Sequence, residues 1–332
     1  MVKMKSKAGG RAHDLRPLMV NHISLLICAL ILALAAAPGR AEEASQAPDA
    51  AKGDVQKQFS FDPKVRFLSG NQDYNFGEAR LDIGLPYGLQ AVLDFSAYEI
   101  AGTSWTPTIT FGAGENWGNV SVSGTYAVTT LANNYNANAV DIAAETRAGS
   151  DDIVSTVGGD VRIAHNFFWT RVANPKPGDP SFIEITQRTP TITLKQQLFS
   201  TRAEMAFSEY TYNVDIPATV KQLTTLSANA VSNVGTFRLN GDLGGVIAGF
   251  PDHSEKFSLF QDLKFVPVTL WGAYQSTHII DTSLLTNGTA DVEMFGAEIN
   301  VKKVTATLEY QHVRQDKQIP LDQYGLSLSA QF

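Results

Sequence analysis

The chain has 332 residues, with 26 Lys and Arg against 33 Asp and Glu and a formal net charge of −7. That acidic balance argues against a nucleic-acid partner and for a field that attracts cations. A single Cys supplies neither a disulfide framework nor a thiolate metal site.

Residues 1–41 have the layout of a secretory leader. Lys3, Lys5, Lys7, Arg11 and Arg16 form a basic start, Ile23 to Ala37 is an apolar run, and Gly39-Arg40-Ala41 places small residues before a cut. The apolar run spans 15 residues, short of the roughly 20 that a spanning helix needs, so cleavage after about Ala41 is expected. Cys28 follows Ile27, a setting that disfavours lipoprotein processing, and it leaves with the leader. The leader carries six Lys and Arg and one acidic residue, which leaves 20 basic and 32 acidic residues and a net charge of about −12 in the mature chain. Residues 42–58 are rich in Ala, Pro and acidic side chains and read as a flexible periplasmic tail. Residues 59–332 read as one domain.

Within that domain, apolar residues recur at every second position. Leu89, Ala91, Leu93, Phe95 and Ala97 alternate with Gln90, Asp94 and Ser96. Val120, Val122 and Tyr126 alternate with Asn119, Ser121, Ser123 and Thr125, and Ala306, Leu308 and Tyr310 with Thr307, Glu309 and Gln311. Period two makes strands with one apolar and one polar face. The expected fold is all-β, a transmembrane antiparallel β-barrel of about 16 strands, because such strands are only half apolar and leave the mean hydropathy at −0.08. The strands start near Lys64, Asn75, Gly88, Trp105, Gly118, Asp160, Ser181, Thr191, Thr201, Asn233, Leu243, Lys256, Val268, Asp291, Val304 and Asp322. Merging the short segments Phe182 to Arg188 and Gly244 to Phe250 with their neighbours gives 14. This register points Trp271 inward and Gln261 toward lipid, an awkward placement where a slip of one residue would invert the faces.

A sheet this wide is not filled by its own side chains, so an aqueous lumen is expected. The pore-lining candidates are Glu78, Arg80, Asp82, Asp94, Arg162, Glu184, Arg188, Lys195, Arg202, Glu204, Arg238, Asp262, Lys264 and Glu309. Charges of both signs on facing walls order water and favour small polar solutes; the plainer expectation is that they only pair across the lumen. Leu131 to Gly159 reads as a long external loop with Asp141, Glu145, Asp151 and Asp152 against the single Arg147. Trp105, Trp169 and Tyr324 fall near strand ends, where aromatic girdles sit. Asn287-Gly288-Thr289 matches a glycosylation acceptor but reads as turn chemistry. Four histidines follow the leader: His165, His253, His278 and His312. None has zinc spacing, none lies beside a nucleophile elbow, and Asp252-His253 is the only adjacent acid–His pair, so no catalytic, metal or cofactor residues are expected.

The final strand is the most distinctive. Tyr324, Leu326, Leu328, Ala330 and Phe332 alternate with Gln323, Gly325, Ser327, Ser329 and Gln331, and the chain ends on the aromatic. This pattern resembles the closing strand of Gram-negative outer-membrane β-barrels of the porin type, where it serves as the assembly signal. Placing Phe332 at the periplasmic rim puts short links such as Val301-Lys302-Lys303-Val304 inside and long ones outside, the asymmetry of such barrels. The resemblance implies a channel for passive diffusion of small hydrophilic solutes and ions, with outer-membrane lipid and the barrel-assembly machinery as partners and a homotrimer as the assembly. It also implies that the third external loop, here Leu131 to Gly159, narrows the lumen, although the Pro-Glu-Phe-Gly-Gly type of signature is missing. The acidic excess adds a mild preference for cations. The alternatives are a barrel enzyme of phospholipase or protease type and a closed barrel acting as a structural or receptor protein.

Overall fold

The computed structural model describes residues 59–332 apart from 72, 100–103, 133–134, 151, 170–177, 227–236, 239–245, 248, 283–287 and 317. The leader, the tail, Asp151 and Asn287 lie outside the described residues. The strands are β1 (Ser60–Gly70), β2 (Asn75–Gly84), β3 (Leu89–Glu99), β4 (Thr106–Trp117), β5 (Val120–Ala132), β6 (Tyr135–Gly149), β7 (Ile153–Trp169), β8 (Phe182–Leu198) and β9 (Thr201–Glu209). There follow β10 (Thr211–Tyr212), helix α1 (Ile216–Leu226), β11 (Phe237–Arg238) and β12 (Val246–Ile247). The last five are β13 (Pro251–Asp262), β14 (Val268–Ile279), β15 (Gly288–Val301), β16 (Val304–Gln315) and β17 (Leu321–Ala330).

Each strand pairs antiparallel with the next, β9 pairs with β13, and β1 pairs with β17, so the sheet closes on itself with 14 strands. β10 adds to β8, while β11 and β12 pair only with each other. Three differences from the expected 16 account for the number. Phe182 to Leu198 is one uninterrupted strand where two were expected. The strands expected from Asn233 and Leu243 do not enter the wall; their described parts are β11 and β12. Tyr135–Gly149, expected to be loop, is strand β6. Phe332 completes the seam, exchanging backbone hydrogen bonds with Phe61 at 3.1 and 3.3 Å.

Register assigns the faces. Leu68 lies opposite Phe76 and Phe76 opposite Tyr98, and these join Tyr210, Val292, Met294, Val313 and Leu321 in one buried cluster. Strands on different sides of a closed sheet meet only across its inside, so that parity is the inner one. The opposite parity carries Leu93, Phe95, Phe111, Ile142, Val161, Ile192, Leu194, Phe257, Leu270, Phe295, Leu308 and Leu326, all exposed. A continuous apolar girdle of this kind far exceeds the patches that water-soluble monomers show. Along β5 it runs from Val120 to Val128, nine residues, about 27 Å of strand and about 20 Å of height after barrel tilt, near the band that hydrocarbon covers. Tyr87, Trp117, Phe199 and Phe265 project at the tight-turn edge, and Tyr126, Tyr274 and Tyr324 at the other.

Two inner-face contacts explain the wall locally. Arg66 Nε and Nη2 donate to Glu309 Oε1 and Oε2 at 2.7 and 2.8 Å, both side chains being almost fully buried. Gly325, directly opposite Glu309, leaves the space this pair occupies, since a Cβ there would meet Leu68 and Glu309. Trp271 does point inward, as the register required, because its partner is Gly296, where a Cβ would run into the indole. Gln261 faces outward at the rim, where Thr201 Oγ1 donates to its Oε1 at 2.7 Å.

Breaking the Arg66–Glu309 pair strands a buried charge. Glu309→Ala should lower barrel stability by about 3–5 kcal/mol, measured as a shift in the urea midpoint of heat-modifiable gel mobility; an unchanged midpoint would mean that solvent reaches the guanidinium.

Candidate functional site

The inner face changes character along the barrel axis. Toward the tight-turn rim it encloses a cavity of about 670 Å³ bounded by Gln90, Asn116, Ser123, Glu145, Asp160, Thr193, Lys195, Glu204, Lys256 and Ser258 among others. Toward the long-loop rim it is packed with apolar side chains.

Of the expected pore-lining residues, Glu78, Arg80, Asp82, Asp94, Arg162, Lys195, Arg202, Glu204, Asp262 and Glu309 share the inner face. Several are tied to neighbours. Arg80 reaches Asp82 at 2.8 Å, Arg202 reaches Glu204 at 3.1 Å, and Lys195 Nζ reaches Glu145 across β7 at 3.2 Å. The Arg202 guanidinium also lies 4.0 Å from the centre of the Phe260 ring. Opposite charges in register, such as Asp141 and Arg162, limit repulsion along the wall.

Four expectations are corrected. Glu184 and Arg188 face outward, because β8 runs unbroken through Pro190 and keeps one parity from Ile183 to Gln197. Glu184 is held by His165 Nδ1 at 2.8 Å on that outer surface. Arg238 belongs to the β11–β12 pair rather than the wall. Lys264 lies in the exposed turn after β13 and not on a strand.

The constriction-loop expectation is overturned for its described residues, Asp151 lying outside them. Asp141 and Glu145 are inner-face wall residues of β6, and Asp152 lies between β6 and β7 at the tight-turn rim. Val140 and Ile142 facing out, with Asp141 between them facing in, give this segment a strand's two faces. Residues that the pore-lining list missed include Arg66, Asp160 and Lys256. The last was visible only once β13 was known to start at Pro251 rather than Lys256.

A different segment occupies the mouth. After β9 the chain turns at Tyr210, lays β10 on β8, and forms α1. Asp215 caps that helix, its Oδ1 accepting from Ala218 N at 2.8 Å, with Pro217 in the first turn. Ile216, Val220 and Leu223 fall at helical spacing on one stripe and pack against Phe250 and the inner-face residues Phe168 and Ile185. Tyr212 touches both this cluster and the one around Tyr98, Tyr210 and Met294, so the two form one apolar plug. Its hydroxyl donates to the Pro251 carbonyl at 2.8 Å, and burial pushes that phenol's pKa up.

All four histidines after the leader face outward beyond the apolar girdle. His165 meets Glu184, His312 meets Asp322 at 2.8 Å, and His253 and His278 converge on Asp252. The last convergence depends on the register between β13 and β14, which no local sequence pattern reveals.

No protein-family model matches this chain, and no curated protein does. Among solved structures, the chain is similar to CdiB from Acinetobacter baumannii, at 10% identity and a TM-score of 0.48 over 84% of this chain and 60% of that one. It is also similar to OccAB1 from Acinetobacter baumannii, at 10% identity and 0.45 over 82% and 95%, and to OprD from Pseudomonas aeruginosa, at 10% and 0.41 over 85% and 96%. The chain thus spans well under two thirds of CdiB. These likenesses are of barrel architecture and say nothing of solute.

Undocking α1 tests the mouth. Val220→Asp or Leu223→Asp places a charge in a dry apolar contact and should expose residues 213–226 to added protease while the barrel keeps its heat-modifiable mobility. Unchanged protease resistance would place the helix outside the mouth.

Proposed function

We propose that this chain is an outer-membrane porin in which small hydrophilic solutes and ions diffuse through the lumen, with Tyr212 and helix α1 setting access at the outer mouth. The observation that carries this reading is a charged, polar cavity of about 670 Å³ held inside an apolar-girdled barrel. A purely structural barrel gains nothing from burying so many ionised side chains beside water, whereas a solute path needs them. In this reading the chain is exported with loss of residues 1–41, β17 engages the assembly machinery, and the barrels associate as trimers, which crosslinking in intact outer membranes checks.

Selectivity follows from the inner face. Asp62, Glu78, Asp82, Asp94, Asp141, Glu145, Asp160, Glu204, Asp262, Glu298 and Glu309 stand against Lys64, Arg66, Arg80, Arg147, Arg162, Lys195, Arg202 and Lys256. The excess of carboxylates favours cations modestly.

The apolar plug supports a second reading, a closed barrel that serves as a structural or receptor protein. Planar-bilayer recording separates the two. The porin reading expects small conductance steps from the full chain and markedly larger ones when residues 213–249 are replaced by a short Gly-Ser linker. Silence from both proteins would favour the closed barrel. Reversal potentials across a salt gradient should show cation preference that Glu145→Lys with Glu204→Lys reduces or reverses; anion preference in the wild type would overturn the selectivity.

A further inference from the structure

Asp252, His253 and His278 come together at the outer rim by two devices. His253 of β13 lies directly opposite His278 of β14, and their rings stack 5.1 Å apart at 12°. In a regular strand Asp252 would point to the opposite face from His253. The ladder slips between Pro251 and His253, however, leaving Asp252 as an extra residue, and such a bulge re-aims a side chain. Its carboxylate therefore reaches the outward surface, where Oδ2 lies 3.1 Å from His253 Nδ1 and 3.5 Å from His278 Nδ1. The three ligand atoms all lie within 4.8 Å of one another. Donors held about 2.1 Å from a tetrahedral metal stand about 3.4 Å apart, close to the 3.1 and 3.5 Å separations here.

We propose that Asp252, His253 and His278 bind one first-row divalent metal ion, Zn²⁺ or Cu²⁺, on the outward rim of the barrel. Two imidazoles and one carboxylate favour such ions over Mg²⁺ and Ca²⁺, which take oxygen sets. Hydrogen bonding alone would require both rings to keep their proton on Nδ1 and share one oxygen. A cation at the centre takes a lone pair from each. Glu209, opposite His253 on β9, adds negative charge beside the site. The three side chains are each about half exposed, leaving the remaining coordination positions to water. The site stands apart from the lumen and does not depend on the porin reading.

The test uses the full mature chain without an affinity tag, refolded in detergent. Zn²⁺ competition with a chromophoric chelator should show one equivalent bound. His278→Ala should weaken it at least about tenfold, since even outer-sphere losses cost 10–100-fold, and the conservative Asp252→Asn should weaken it too. His165→Ala with His312→Ala should leave it unchanged. Electron paramagnetic resonance of the wild type with one equivalent of Cu²⁺ should show two coupled nitrogens, a readout that needs no variant. Binding that is absent, that survives His278→Ala, or that shows fewer than two nitrogens would overturn the site.

Discussion

The rest of this structure depends on one constraint: in hydrocarbon, every backbone N–H and C=O must find a partner in the protein. An unpaired group there costs several kcal/mol, so a sheet that spans the bilayer must close. Closure is why Lys64 through Gly70 pair with Gln323 through Ser329 although they lie at opposite ends of the domain. It is also why β9 pairs directly with β13, while helix α1 stays out of the wall. What leaves the wall there must go somewhere wet or dry, and the apolar stripe of α1 sends it into the mouth. The Arg66–Glu309 pair sits beside the β1–β17 seam, where a buried, bidentate contact ties the first strand to the last two.

Closing 14 strands creates a second problem, since the interior is too wide for wall side chains alone to fill. The barrel solves it in two ways along its axis. Near the tight turns, charged and hydroxyl side chains line a cavity, and small residues such as Ala143, Gly158 and Ala206 leave it room. Near the long loops, Phe76, Tyr98 and Tyr210 pack in one inward cluster and Phe168 meets α1 in another, with Tyr212 against both. In the proposed porin reading, access depends on how firmly a helix of 11 residues holds to Phe168, Ile185 and Phe250. An element held by one stripe of contacts opens at lower free energy than the wall, which makes the mouth the part of the molecule able to change state without disturbing the barrel.

Much of this was legible in the sequence where long side chains mark the two faces. β3, β5, β16 and β17 were read with correct parity because Leu, Phe, Val and Tyr alternate with polar residues. β6 was missed because Ala137, Ala139, Ala143 and Ala144 stand on both faces and alanine distinguishes neither. β8 was split because Pro190 argues against a central strand. The structure shows how Pro190 is accommodated: β9 pairing ends at Thr191 and β10 pairing begins at Arg188, so Pro190 falls in the gap between two partners. Missing one strand and splitting another left the strand number even and the orientation of the C-terminal half intact, which hid both errors. The split also shifted parity by one residue, and this alone misplaced Glu184 and Arg188. The mouth helix was illegible for another reason: only the tertiary contact with inner-face residues distinguishes it from a surface loop.

The outward histidines and carboxylates fix how deep the barrel sits. On the lipid-facing parity, apolar residues give way within a residue or two to Glu99, His165 and Glu209 on β3, β7 and β9 and to Glu255, His278, Asp291, His312 and Asp322 on β13 to β17, a polar row beyond the tyrosines. Arg and Lys on this face cost about 2–4 kcal/mol at the bilayer midplane and about 0–1 near the interface, with Asp and Glu costing less. Sliding the barrel inward by one turn of side chains would bury several of these groups together, while sliding it outward would wet the apolar girdle. The two penalties oppose each other and leave one favourable depth. At that depth the row lies among lipid headgroups, and several of its members are paired: Arg314 with Asp291 at 3.2 Å, His312 with Asp322 at 2.8 Å and His165 with Glu184 at 2.8 Å. Among the described residues, only Asp252 faces two imidazoles at once, and it does so because a bulge added one residue to β13. A single inserted residue at a strand end thus changes an ordinary rim ion pair into a three-donor cluster, without altering the register of any position below it.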